Sequence, residues 1–223
     1  MKNNKNTIIV VAIVAVVAIA GITVFAISRN NDDGMMGNNM MGETSNSQSV
    51  QADKGSSDYK QYAALKGEDY DRMFLANMIA HHEGAVEMAN LALNNASHQE
   101  IKTLATVIVS AQTSEITNMT AWQKTWGYPA SSGEMMMDHS SMGMENTNAG
   151  MMNELNGKTG EAFDKAFLTE MIMHHQSAIN MAATGKANAQ HQEVKDLTVA
   201  IVTAQTKEIQ QMKQWQKTWG YTN

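Results

Sequence analysis

Apolar positions in this chain fall into one solid block and four periodic stripes. The block runs from Thr7 to Ile27, TIIVVAIVAVVAIAGITVFAI, and carries no charge. As a helix these 21 residues reach about 31 Å, enough to cross the hydrocarbon core of a bilayer. The first stripe is Phe74, Met78, His81, Ala85, Met88 and Ala92, in alternating steps of four and three. That is the spacing of one face of a packed helix. Asn94 to Ser97 interrupts it, and Ser97 with Glu100 reads as a capping box that opens a second helix. The second stripe follows through Ile101, Leu104, Ile108, Ala111, Glu115, Met119, Trp122 and Trp126. Gly127 suits a helix end and Pro129 bars continuation.

The remaining two stripes are copies of these. A shift of 93 residues lays the chain on itself without a gap. Phe74, Met78, His81, His82, Ala85 and Met88 fall on Phe167, Met171, His174, His175, Ala178 and Met181. His98, Glu100, Glu115, Met119 and Trp122 fall on His191, Glu193, Glu208, Met212 and Trp215, and each copy closes with WQKTWGY. A unit repeated at this length implies a pseudo-symmetric fold. The expectation is all-α: two helical hairpins, 66–128 and 159–223, with helices of about 27 to 30 residues, packed as one four-helix bundle over 66–223. Residues 1–6 form a short basic lead, 7–27 the span, 28–65 a flexible Met-, Asn- and Ser-rich tether, and 129–158 a Met-rich linker without a helical stripe.

Charge sets the orientation. Lys2 and Lys5 precede the span, while Arg29 is followed by Asp32 and Asp33, so the N-terminus is expected to stay in the cytoplasm and the bundle to be exported. The alternative is a cleaved signal peptide, since AIA at Ala18–Ala20 fits a cleavage pattern, and the product would then be secreted. A net charge of −6 without a cationic cluster argues against nucleic acid. With no cysteine, thiolate chemistry and Cys-based metal sites are excluded.

Candidate chemistry lies in methionine, of which there are 20, and histidine. Met78 is one turn from both His81 and His82, and Met171 from His174 and His175, so one helix face of each copy could offer a thioether and two imidazoles. Met88 and Met181 lie two turns beyond on the same stripes. Thioether with imidazole favours Cu(I) and, by similar softness, Ag(I). A methionine on a core stripe is ordinarily packing. That explanation does not reach Met35, Met36, Met40 and Met41 in the tether, nor Met135, Met136, Met137, Met142, Met144, Met151 and Met152 in the linker, with His139 among the latter. For His98 and His191 a surface or capping role is expected.

The segments MIAHHEGAVEMA and MIMHHQSAINMA, each closed by WQKTWGY, resemble the ferritin-like family of domain of unknown function 305, which includes the CopM-like copper-binding proteins. The resemblance covers about residues 66–128 and 159–221. It implies a four-helix bundle, an exported or membrane-tethered location, and Cu(I)/Ag(I) binding in copper resistance. On matching positions the implied ligands are Met78, His81, His82, Met88, Met171, His174, His175 and Met181, with Met119 and Met212 as additions. Membrane contact through the N-terminal helix and a copper-delivery protein are the partners this reading carries.

Three rivals stand beside it. A di-iron oxidase would need paired Glu-x-x-His motifs, yet Glu170 precedes His174 by four and its counterpart is Asn77. A haem carrier lacks C-x-x-C-H. A metal-free interaction module would use the histidines as core and the methionines as contact surface. No nucleophile arrangement stands out, so sequestration or handover of metal, not catalysis, is expected.

Overall fold

The computed structural model describes residues 50–129 and 140–221, with side chains from 147 onward in the second stretch. The proposed span 7–27, its cleavage site and Met35, Met36, Met40 and Met41 lie outside the described residues, as do Met135, Met136, Met137 and His139. Among the described residues no helix is long and apolar enough to cross a membrane.

Val50–Asn223 form one compact unit, and among the described residues its secondary structure is helical apart from two isolated bridges. Two helices, α2 (Gly67–Asn95) and α3 (Gln99–Trp126), make the first hairpin. The second hairpin is α5 (Gly160–Ala182), a one-turn α6 (Gly185–Asn188) and α7 (Gln192–Thr218). The hairpins meet where α2 packs on α5. Gly127 ends α3 in the left-handed region at φ 71°, as its sequence position suggested.

Four readings of the pattern need correction. First, the helix expected to be continuous in copy 2 breaks at Ala183 and Thr184. A Cβ on Gly185 would lie 2.3 Å from Thr198 Cγ2. Copy 1 has Ala92 and Ala105 at the matching places, so the side-chain volume sits on different helices in the two copies. Second, the tether ends in a helix, α1 (Ser57–Ala64), which packs on α5 and buries Tyr62. Third, the linker contains α4 (Ser140–Leu155), which packs on α2 and α5 and buries Met151 and Leu155. Its polar sequence hid it: only those two side chains are buried among the described ones, too few to draw a stripe.

The fourth is the capping box at Ser97 and Glu100. Helix α3 starts at Gln99, and its cap comes from the other hairpin. Asp164 accepts hydrogen bonds from the backbone N–H of Ser97 at 2.9 Å and of His98 at 3.0 Å, and from His98 Nδ1 at 2.6 Å. Asp71 does the same for Gln190 N (3.0 Å), His191 N (2.9 Å) and His191 Nδ1 (2.7 Å). Both carboxylates are fully buried. The two rings are also stacked across the hairpins, His98 on Trp219 at 3.8 Å and His191 on Trp126 at 3.7 Å between centroids. These reciprocal clasps satisfy helix-start N–H groups that would otherwise be orphaned and lock each hairpin to its partner. WQKTWGY therefore has a structural task, since its second Trp closes the clasp.

Two apolar clusters fill the bundle, and each is shared between hairpins. Met78, Met119 and Met181 pack in one, with Tyr62, Tyr70 and Phe74. Met88, Met171 and Met212 pack in the other, with Phe163 and Phe167. The histidine pairs lie on α2 and α5 between these two sulfur-bearing ends.

Candidate metal centre

His81 of α2 and His174 of α5 meet at the middle of the bundle, with ring centroids 3.7 Å apart and planes 39° apart. They stand at matching positions of the two copies, so the pseudo-symmetry axis passes between them. Both are essentially inaccessible to solvent. Among the described residues no nitrogen of either ring makes a well-formed hydrogen bond, and a weak interaction with the other histidine's backbone only partly offsets the burial. Burial, reinforced by the neighbouring imidazoles, holds both well below the usual histidine range, so they are neutral at physiological pH.

His82 and His175 behave differently. His82 Nε2 contacts Glu115 Oε2 at 2.6 Å and His175 Nε2 contacts Glu208 Oε2 at 2.7 Å. The His81 and His82 centroids are 6.3 Å apart, as are those of His174 and His175, and only the second member of each pair meets a carboxylate. Neighbouring residues on a helix diverge by a hundred degrees or so, which turns His82 toward α3 and leaves His81 on the inter-hairpin seam. Both Nδ1 atoms of the second pair remain buried and without a partner. A carboxylate that fixes one imidazole nitrogen while the other is free is the arrangement that orients metal-ligating histidines.

Two further groups belong to this layer. Gln112 and Gln205 lie one turn before Glu115 and Glu208, and the Oε1 of each is buried without a partner. Among the described residues, six imidazole nitrogens of the four central histidines and the two glutamine oxygens are thus buried without a well-formed hydrogen bond, in matching positions of the two copies. Each such group costs about 1–3 kcal/mol when left unmade. Sequence reasoning placed Glu115 and Glu208 on the stripe without giving them a role, and it missed both glutamines. The available signal was the identical 33-residue separation of His82 from Glu115 and of His175 from Glu208.

Every core methionine of the expected set is buried: Met78, Met119, Met171, Met181 and Met212 completely, Met88 nearly so. Met78 lies about 4.5 Å before His81 along the helix axis and Met88 about 10.5 Å after it. The sulfurs therefore flank the imidazole layer, at its two ends. Among the described residues no group of three or more His, Asp or Glu side chains is placed to hold a metal ion. A metal here would need sulfur donors, or a turn of the touching rings, because imidazoles gripping one ion from opposite sides stand farther apart than rings in contact. Met142 and Met144 belong to α4, ahead of the residues with described side chains.

The family model of the domain of unknown function DUF305 matches residues 23–90 and 71–216, and the chain belongs to that family. Among solved structures it is similar to CopM in the Cu(I)-bound form, at 35% identity over 67% of this chain and 96% of that one, with a TM-score of 0.55. Similarity to CopM in the Cu(II)-bound form is 35% over 70% and 99%, TM-score 0.57. For the Ag-bound, co-crystallised form it is 34% over 67% and 96%, TM-score 0.55. No curated protein matches the chain.

Proposed function

We propose that this protein binds Cu(I) and Ag(I) outside the cytoplasm and sequesters or hands over the metal, without catalysing a reaction, as part of copper resistance or homeostasis. The observation that carries this reading is the unsatisfied imidazole layer between two methionine clusters. A core built only for packing gains nothing from six unpaired imidazole nitrogens, whereas a soft cation would pair them. The similarity to copper- and silver-bound CopM supports the same class of cargo. His81, His174 and the Nδ1 atoms of His82 and His175 would contribute nitrogen, and Met78, Met88, Met119, Met171, Met181 and Met212 sulfur. The linker residues Met135, Met136, Met137, His139, Met142 and Met144 would capture the ion from solution. The 7–27 segment would keep the bundle at the periplasmic or cell-surface side of the membrane, and a delivery protein would supply or receive the metal.

A competition titration with bathocuproine on the wild-type chain and on a His81→Leu/His174→Leu variant tests the centre. The variant is expected to lose at least one Cu(I) equivalent. Unchanged stoichiometry and affinity would remove the histidines from the site. The His82–Glu115 and His175–Glu208 contacts give a di-iron oxidase its footing, and anaerobic Fe(II) addition followed by air decides that case: growth of a di-iron absorption band would favour the oxidase.

A further inference from the structure

The two sulfur clusters are not equivalent, and the linker makes the difference. Met151 of α4 is buried and packs in the same cluster as Met88, Met171 and Met212. What brings it there is a close approach of α4 to α2. Asn148 Nδ2 donates to Ala80 O at 3.1 Å, and a Cβ on Gly84 would lie 2.4 Å from that same nitrogen. Only glycine leaves the Asn148 side chain room to sit as it does.

Helix registers put the four methionine backbones within about 6 Å of one height along the bundle. The His81–His174 contact sets antiparallel α2 and α5 so that Met171 is level with Gly84. The His175–Glu208 contact likewise sets Met212 level with Met171. Met88 is four residues past Gly84, about 6 Å, and Met151 three past Asn148, about 4.5 Å. Helices α2, α4, α5 and α7 each contribute one thioether to this layer.

The opposite end lacks this arrangement. The 93-residue shift makes α1 the counterpart of the end of α4 and puts Asp58 where copy 2 has Met151. Asp58 binds the Ser177 hydroxyl at 2.7 Å, Ser177 being the counterpart of Gly84. That end keeps Met78, Met119 and Met181. A further methionine there, Met73, has its sulfur occupied by the Asn77 amide at 3.3 Å.

We infer that Met88, Met151, Met171 and Met212 form a four-thioether site for Cu(I) or Ag(I), separate from the imidazole layer and completed by the linker helix. Neutral sulfur donors in a water-poor setting select a soft monovalent ion and reject hard divalent ones. The inference rests on the soft-metal reading of the bundle and assigns the stronger site to one end of it.

The test is Ag(I) titration of the full-length chain carrying ¹³C-labelled methionine methyl groups. The Met151 methyl signal is expected to move with those of Met88, Met171 and Met212 at one shared equivalent. Met151→Leu conserves volume and should weaken that equivalent about tenfold or more, the low end of what losing even an outer-shell partner costs a metal site. Met73→Leu, the packing control at the other end, should leave it unchanged. A Met151 signal that stays still while the other methyls shift, or a Met151→Leu chain that binds as the wild type does, overturns the four-sulfur site and leaves the soft-metal reading intact. If no methionine signal responds to Ag(I), that broader reading fails as well.

Discussion

Four histidines of this bundle divide into two pairs that teach opposite lessons. His98 and His191, at the ends, have everything a buried-edge imidazole needs: a carboxylate on Nδ1, a Trp face against the ring and backbone N–H groups anchored beside them. His81 and His174, at the middle, touch each other and make no well-formed hydrogen bond among the described residues. The first pair is used for assembly. The second weakens the metal-free fold, and a cost retained at matching positions of both copies points to something that relieves it. The same residue type can thus be cement or socket, and the partner atoms tell which.

Substitutions sharpen this contrast. The largest effect is expected from Asp164→Ala, which strands His98 and two backbone N–H groups. It should lower stability by about 3 kcal/mol, a fall in Tm of roughly 6–12 °C for a chain of this size, read by thermal unfolding. A change within experimental error would reduce the clasp to a surface contact. Next, Ag(I) at a hundredfold excess over its dissociation constant should add about 2.7 kcal/mol to the wild type and distinctly less to His81→Leu/His174→Leu. In the absence of metal that double variant should gain about 1–2 kcal/mol in urea unfolding, because apolar side chains replace unpaired polar ones. A loss as large as that of Asp164→Ala would show that the central imidazoles are satisfied in solution.

Acid gives a finer measure. His81 and His174 are held neutral in the fold, below the ordinary value of 6.5, first by burial. The unfolded chain therefore takes up more protons as pH drops below 6.5, and stability falls with it. The loss is about 1 kcal/mol per imidazole between pH 6.5 and pH 5.5, and it should vanish in the double leucine variant. Metal release from the folded centre is accordingly expected at lower pH than an ordinary imidazole would dictate. Trp219→Phe, which thins the stack on His98, should cost least, about 0.5–1 kcal/mol, and a loss equal to that of Asp164→Ala would move the clasp's strength from charge to stacking.

How much of this was legible beforehand follows a physical division. The hairpins, the pseudo-symmetry and the placement of His81 and His174 on a buried face were readable, because helical periodicity and duplication are properties of local order. The divergence of His82 from His81 was readable too, from the angle between adjacent residues, but adjacency in sequence suggested a joint site. Asp71 and Asp164 were not recognised as caps, because a cap donated by the other hairpin leaves no short-range signature of the kind Ser-x-x-Glu does. Helix α4 escaped because its anchorage depends on an absent side chain at Gly84, far along the chain. Tertiary contact decided each of these, and composition did not.

The contact of His81 with its own duplicate has one consequence beyond this chain. A pair that straddles a twofold axis belongs to neither half, so a lone hairpin carries half of a centre, only part of each sulfur cluster and an unanswered carboxylate. A single-copy ancestor could have reached the same arrangement by self-association, with gene fusion afterwards removing its dependence on concentration. Only after that fusion could one half acquire a Met151 that the other does without.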